Sequence, residues 1–353
     1  MRMGSLRGRK ASEAPLKDKT HEGGTTTMKR VIGISLALVM VLSALALADG
    51  SNAFSAFKSG IGARALAMGG AFVAVADDAT AVSWNPAGLS QLNDTRIGGM
   101  TGNLFGMDGY THQFIGAVTT FSNLGIGLAW ERAGLASGTE PLTDESGNPI
   151  AGFEWNYSSI IGTLSTNIMD IGLAGANVKY YMGQQGSNSG SGFGFDLGVL
   201  INLGNMFTIG VSAGDIGGSK VTWTSNAGDT ISGLYKAGVA LKLADGMLVL
   251  ATDLDFDGTK MGDAHVGLEF KVIKELALRA GAVMTNNFKD AYFTVGGGIN
   301  VAGLYVDAAY ILRTLDAGVD GSTLVLSAEF SLGDLLGGGA VKPVTTPTPA
   351  GAE

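Results

Sequence analysis

Leu304-Tyr305-Val306-Asp307-Ala308-Ala309-Tyr310-Ile311-Leu312-Arg313 places Leu304, Val306, Ala308, Tyr310 and Leu312 on one face and Asp307 and Arg313 on the other. An extended strand, whose side chains alternate between two faces, sorts the segment in this way. One face then suits lipid and the other suits water or counter-charge, the pattern of a transmembrane barrel strand.

The same parity recurs along the chain. Val266, Leu268, Phe270 and Val272 alternate with His265, Glu269 and Lys271, and Phe193, Phe195, Leu197, Val199 and Ile201 with Asp196 and Asn202. Leu324, Leu326, Ala328 and Phe330 alternate with Thr323, Ser327, Glu329 and Ser331. Working outward gives strands near 95–102, 110–120, 124–133, 155–165, 171–183, 192–203, 207–215, 232–243, 248–257, 263–273, 276–285, 292–301, 304–314 and 322–332. The count is about fourteen, even as single-chain bacterial barrels require. Connections alternate in length: short at Ser122-Asn123, Gly204-Asn205, Asp245-Gly246 and Ala302-Gly303, long at 134–154, 184–191, 216–231 and 315–321. Short periplasmic turns and long external loops have this rhythm, which puts both ends of the chain on the periplasmic side. The expected fold is all-β, a transmembrane antiparallel barrel over 95–333. Tyr180, Tyr181, Tyr235, Tyr292, Tyr305, Trp130 and Trp155, near strand ends, are expected in aromatic girdles at headgroup level.

Composition agrees. Of 353 residues, 56 are Gly, 7 Pro and none Cys; 46% are apolar, 15% charged, and the formal net charge is −8. The mean hydropathy is +0.26. So many apolar residues exclude a disordered chain, and Gly without a period of three excludes collagen. The lack of Cys removes disulfides, thiolate metal sites and Cys nucleophiles. No basic patch suggests nucleic acid. Gly-rich strands let the sheet curve and bring bare backbone close inside the lumen.

Met28-Lys29-Arg30, the apolar run Val31 to Leu47, and Ala46-Leu47-Ala48 read as a signal peptide over 28–48. Residues 1–27 then form a leader outside the fold, with Met28 the expected start. Residues 334–353, rich in Pro and Thr from Lys342 onward, read as a disordered periplasmic tail.

Lumen-facing charges expected from parity are Glu131, Lys179, Asp196, Lys236, Lys242, Asp253, Asp255, Glu269, Lys271, Arg279, Asp307, Arg313 and Glu329. Mixed signs in a narrow lumen pair with one another. Asp253-x-Asp255-x-Asp257-Gly258 opens like a calcium loop, but Ala264 stands where the bidentate Glu belongs. Strand parity accounts for three carboxylates on one face, and a cation site is the weaker reading. Gly60-Ile61-Gly62-Ala63-Arg64-Ala65 fits a loose dinucleotide pattern, with no strand before it. Only His112 and His265 follow the signal, in no metal-ligand spacing, and no Ser, His and Asp set suggests a hydrolase. Neither an enzyme nor a cofactor is expected.

Ala63 to Leu92, ARALAMGGAFVAVADDATAVSWNPAGLSQL, differs from everything after it. It resembles the N-terminal signature of the PorV/PorQ family, a branch of the barrels related to FadL-type long-chain fatty-acid transporters. Gly62, Arg64, Met68, Gly69, Gly70, Asp77, Asp78, Asn85, Pro86 and Gly88 fall on its recurrent positions. His265 to Phe270, Leu278 to Gly281 and Gly296 to Gly298 resemble the family's C-terminal half. The resemblance implies a fourteen-stranded outer-membrane barrel with residues 49–94 folded into its periplasmic half as a small plug. Read from its residues alone, the segment is an amphipathic helix that fills the lumen.

The FadL likeness implies binding or passage of hydrophobic small molecules. Loops 134–154 and 216–231 would form the entrance, and Leu66, Met68, Phe72 and Val73 would supply apolar surface. Charged inward faces count against this, because such a site should be mostly apolar. The PorV likeness implies instead a protein-interaction component of type IX secretion or surface attachment, with secreted or secretion-system proteins as partners. A structural protein or polar pore is the third reading. Outer-membrane lipid is the partner all three share.

Overall fold

The computed structural model describes residues 54–103, 109–135, 146, 155–168, 172–225, 227–257, 260–285, 288–313 and 321–336. The leader, the signal peptide, the tail beyond 336 and most of loops 134–154 and 315–321 lie outside the described residues.

The first seven strands are β1 (Arg96–Asn103), β2 (Tyr110–Phe121), β3 (Leu124–Leu135), β4 (Trp155–Ile168), β5 (Gly172–Gln185), β6 (Asn188–Leu203) and β7 (Phe207–Gly214). A hairpin follows, β8 (Ser219–Trp223) and β9 (Gly228–Ile231). The last seven are β10 (Leu234–Leu243), β11 (Leu248–Asp257), β12 (Lys260–Ile273), β13 (Leu276–Thr285), β14 (Asp290–Val301), β15 (Leu304–Leu312) and β16 (Thr323–Ser331). β7 pairs directly with β10, from Gly214↔Leu234 to Phe207↔Leu241, so β8 and β9 stand outside the ring. β1 closes on β16 from Arg96↔Ser331 to Gly102↔Val325. Sixteen strands less this hairpin leave a closed antiparallel barrel of fourteen. All fourteen expected strands are present, some with ends displaced by a few residues.

The parity argument predicts the outer wall. Along β6, Phe193, Phe195 and Leu197 are 60%, 56% and 47% exposed, while Gly194, Asp196 and Gly198 between them are buried. Ile115, Leu128, Leu164, Phe293 and Leu326 continue this apolar belt around the barrel. A surface of this kind is stable only against hydrocarbon. Among the described residues no helix is long and apolar enough to cross a membrane. The crossing elements are the strands.

Two long connections differ from expectation. Residues 184–191, all Gln, Gly, Ser or Asn, read as a long connection, yet β5 and β6 run on as a hairpin from Leu173↔Leu200 to Gln185↔Asn188. The glycines have a packing reason: a Cβ on Gly190 or Gly183 would lie 2.6 Å from the Trp223 ring. Residues 216–231 contain β8 and β9, and β8 pairs with the end of β6 at Gly190↔Trp223 and Gly192↔Val221. Trp223, Val221 and Ile231 pack there against Phe54, Tyr157 and Tyr181.

The girdle reading also needs correction. Tyr181 is buried and packs within this aromatic cluster, Tyr292 lines a chamber in the lumen, and Tyr305 lies beneath the Arg96 guanidinium. Proximity to a strand end does not choose a side; parity does. Tyr180, one residue from Tyr181, does face outward.

Candidate functional site

Residues 54–92 occupy the lumen. The helical turn Ala63–Ala67 touches β13 to β16, while the turn Pro86–Gln91 touches β2 to β6 on the other side. Its structure is a run of short turns, Ser55–Ser59, Ala63–Ala67, Ala81–Trp84 and Pro86–Gln91, rather than one amphipathic helix. Gly69 and Gly70, both at positive φ (67° and 79°), break any longer helix. Around this inner segment lies the core cluster, with Leu66, Met68, Phe72, Val75, Trp84 and Leu89 all buried.

Bare wall backbone makes room for it. A Cβ on Gly281 would lie 2.2 Å from Gly69 N, one on Gly175 2.3 Å from the Pro86 carbonyl carbon, and one on Gly210 2.4 Å from the Val73 oxygen. At these points segment and wall touch backbone to backbone, which only glycine permits. Polar groups complete the fit. Asp253 Oδ2 accepts from Phe72 N and Val73 N at 2.7 and 2.8 Å. Asn85, fully buried, donates through Nδ2 to the carbonyls of Val73 and Val199 at 3.0 and 3.1 Å. Its Oδ1 accepts from Ala87 N, which holds the Asn85-Pro86 turn.

At the short-turn end an ion-pair network joins segment to wall. Arg64 binds Glu269 twice, Nε to Oε2 at 2.7 Å and Nη2 to Oε1 at 3.0 Å. Its Nη1 reaches Asp77 at 2.6 Å and Asp78 at 3.3 Å. Glu269 also accepts from Arg279, which continues to Asp307 at 2.6 Å. Lys242 approaches Asp77 at 3.7 Å. Nearby, Glu329 binds Arg96 at 2.9 Å and accepts from Ala79 N at 2.7 Å. Burial opposes charge on both Arg64 and Asp77, but the opposite charges outweigh it. Arg64 is held well above its ordinary pKa and Asp77 below its own.

A second buried cluster lies near the β8–β9 hairpin. Lys179 sits between Asp196 at 2.8 Å and Asp215 at 2.9 Å, and the Tyr181 hydroxyl donates to Asp215. Buried His112 and Glu131 pair at 2.7 Å. Sequence reasoning named Lys179, Asp196 and Glu131 but missed Asp215, the last residue of the expected strand 207–215, which the structure puts in the bend just after β7. It also missed the partners that the inner segment supplies from the N-terminal side.

The inner segment divides the lumen into chambers. The lower one, about 850 Å³, lies at the short-turn end and is bounded by Arg64, Asp77, Glu269, Lys271, Arg279 and Glu329. The upper one, about 260 Å³, is lined by apolar Leu66, Trp84, Met100, Ile311 and Val325 and by polar Lys236, Asp255, His265 and Arg313. Of the four apolar segment residues expected to face a ligand, only Leu66 lines this chamber; Met68, Phe72 and Val73 are consumed in packing.

Of the calcium-like carboxylates, Asp253 and Asp255 each have other partners. Asp253 caps the segment backbone, while Asp255 binds Lys236 Nζ at 2.6 Å. Gly258 and the side chain of Asp257 lie outside the described residues. Among the described residues no three His, Asp or Glu side chains group as metal ligands.

The fold is shared with solved transporters and channels. The toluene transporter TodX of P. putida matches with a TM-score of 0.57 at 13% identity, covering 77% of this chain and 99% of its own. The CymD monoaromatic hydrocarbon channel matches with a TM-score of 0.54 at 14% identity, covering 77% of this chain and 97% of its own. A Pseudomonas aeruginosa FadL homologue matches with a TM-score of 0.54 at 13% identity, covering 74% and 96%. Likeness at such identity is one of fold. No protein-family model matches the sequence, and no curated protein is similar to it.

Proposed function

We propose that this chain is an outer-membrane barrel that binds small hydrophobic molecules in its lumen and passes them across the membrane. Residues 54–92 act as the plug that holds the passage shut. The carrying observation is the upper chamber of about 260 Å³, lined in part by apolar side chains, in a barrel sharing its fold with a toluene transporter and a monoaromatic hydrocarbon channel. An apolar cavity of ~150 Å³ accepts benzene, so this chamber has room for one substituted ring. The charged inward faces are compatible with that ligand class because most of their charge is consumed in pairs such as Arg64–Glu269 and Lys236–Asp255. The short turns face the periplasm in this reading, and the signature residues Gly69, Asp77 and Asn85 serve to seat the plug.

Mild-detergent extraction from outer membranes, with mass spectrometry of everything that co-purifies, tests the proposal. A bound apolar small molecule is the expected result. A stoichiometric protein partner with no such molecule would overturn it in favour of a role in secretion or surface attachment.

A further inference from the structure

We infer that the outward face of β4, β5, β6 and β8, just beyond the apolar belt at the long-connection end, binds a phosphorylated saccharide headgroup, that of a glycolipid in the outer leaflet. The inference rests on the placement proposed above, an outer-membrane barrel with its short turns in the periplasm, and concerns the outer wall rather than the lumen.

Strand register sorts this wall into rows. Leu128, Gly162, Val178 and Phe195 stand side by side on β3 to β6, all exposed, and the next row towards the long connections is Trp130, Ile160, Tyr180 and Phe193. The Tyr180 and Phe193 rings meet with centroids 5.0 Å apart. A row of this kind marks the level at which hydrocarbon gives way to headgroups. One row further the chemistry changes. Arg132, Ser158, Met182, Ser191 and Thr222 are in register there, with Asn156, Gln184 and Ser189 beyond them. A groove of about 630 Å³ crosses these rows, lined by Asn156, Ser158, Gln184, Ser191, Thr222 and Thr224 among others.

No charged side chain lines the groove, but a cation stands on either side of it. Arg132 donates to Gln113 Oε1, the Leu135 carbonyl and Asn156 Oδ1, all neutral acceptors, so its charge has no carboxylate partner among the described residues. Lys220, two residues before Thr222 on β8 and therefore on the same face, is exposed and makes no ion pair among the described residues. Hydroxyl and amide side chains both donate and accept, which suits the hydroxyls of a sugar ring, while guanidinium and ammonium suit phosphate. Four gaps between neighbouring strands separate β3 from β8, about 19 Å. A phosphorylated oligosaccharide can reach both cations across that width, and the single phosphate of a phospholipid cannot. The groove continues directly into the apolar belt, so acyl chains on the same molecule would lie against Ile160, Val178 and Phe195.

The test measures the affinities of the full chain in detergent for rough-type lipopolysaccharide and for phosphatidylglycerol, an anionic lipid without sugar, by native mass spectrometry. The lipopolysaccharide is expected to bind about tenfold more tightly or better. Arg132→Gln combined with Lys220→Gln should bring the two affinities to within about threefold. Ser191→Phe, which fills the groove and alters neither cation, should do the same. Lys274→Gln removes an exposed cation from the short turn between β12 and β13 and should leave the ratio unchanged. Heat-dependent gel migration checks that each variant is folded; if the double variant is not, the wild-type ratio and Ser191→Phe decide. Deacylated lipopolysaccharide should compete only weakly, and competition as strong as that of the intact lipid would overturn the glycolipid in favour of a soluble saccharide. Equal affinities in the wild type, or an unchanged ratio in folded Ser191→Phe, would overturn the headgroup site and leave the groove to a protein partner, with the outer-membrane placement intact. Absence of the chain from fractionated outer membranes would remove placement and site together.

Discussion

Arg64 on the inner segment and Glu269 on β12 meet through two bonds, of 2.7 and 3.0 Å, across the boundary between that segment and the barrel wall. Glu269 is almost wholly buried, and Asp77 and Asp78 share the same cation. Removing one partner of a buried pair costs about 3–5 kcal/mol, because the other charge is left stranded. Arg279 still serves Glu269, so Arg64→Ala should fall at the lower end, ~3 kcal/mol. The urea midpoint of the barrel in detergent reads this directly. Adding Glu269→Gln to Arg64→Ala should recover part of the loss, and a single variant as stable as wild type would show that the pair does not hold the segment.

The same network gives a pH dependence with a definite sign. Burial pushes the Asp77 carboxyl up, but Arg64 and Lys242 outweigh that and hold its folded-state pKa below the ordinary value. A depressed carboxylate contributes stability above its unfolded pKa of about 3.9, and that stability drains as pH falls through the folded value. The inner segment should therefore loosen on acidification below about pH 4 and not on the alkaline side. Asp77→Asn lacks this contribution at every pH, so its stability should fall less steeply in acid. Circular-dichroism melts across that range check it; a variant with the wild-type acid slope would remove Asp77 from the account.

Gly175 tests whether the segment is a plug in function. A Cβ there would lie 2.3 Å from the Pro86 carbonyl carbon and 2.4 Å from Ala87 N, backbone atoms with no rotamer to yield. Overpacking of this kind costs typically ~1–3 kcal/mol. The Asn85-Pro86 turn is the part that must move, since β5 is held by β4 and β6 on both edges. Gly175→Ala should therefore raise single-channel conductance in planar bilayers, whereas Gly228→Ala, with open space around it, should not. Equal conductance in both would count against a plugged passage.

What could be read from the sequence follows from which physical signal is local. Period-two alternation is local, so Leu304 to Leu312 and Phe193 to Leu197 declared their outward faces before any contact was known. The Ala63–Leu92 motif marked the segment that packs inside, but not how. The reason Gly175 and Gly210 are glycine lies in backbone from residues far away in sequence, Pro86 and Val73. The β8–β9 hairpin was hidden for the same reason: its polar, glycine-rich surroundings look like loop until Trp223 is placed against Gly183 and Gly190. The upper chamber depends on His265 bonding the Gly69 carbonyl, a contact between residues 196 positions apart, and no local pattern announces it.

Trp223 offers a way to separate the hairpin from the barrel. Its ring fills the slot above Gly183 and Gly190, meets Tyr157 edge-on with centroids 6.4 Å apart, and donates from Nε1 to Asp229 at 2.7 Å. Truncating a packed Trp to Ala costs about 3–5 kcal/mol, but here the loss should stay local. The ring of strands closes from β7 to β10 without β8 and β9. Trp223→Ala should thus expose a new protease site within 216–231 on intact cells, while the heat-dependent gel shift of the barrel is unchanged. Phe54 shares the cluster, with its ring 4.4 Å from that of Tyr157, so the start of the inner segment should loosen with the hairpin. Gly190→Val, which closes the slot from the other side, should give the same cleavage. If Trp223→Ala instead abolishes the gel shift, the aromatic cluster stabilises the barrel itself, and the hairpin cannot move independently of it.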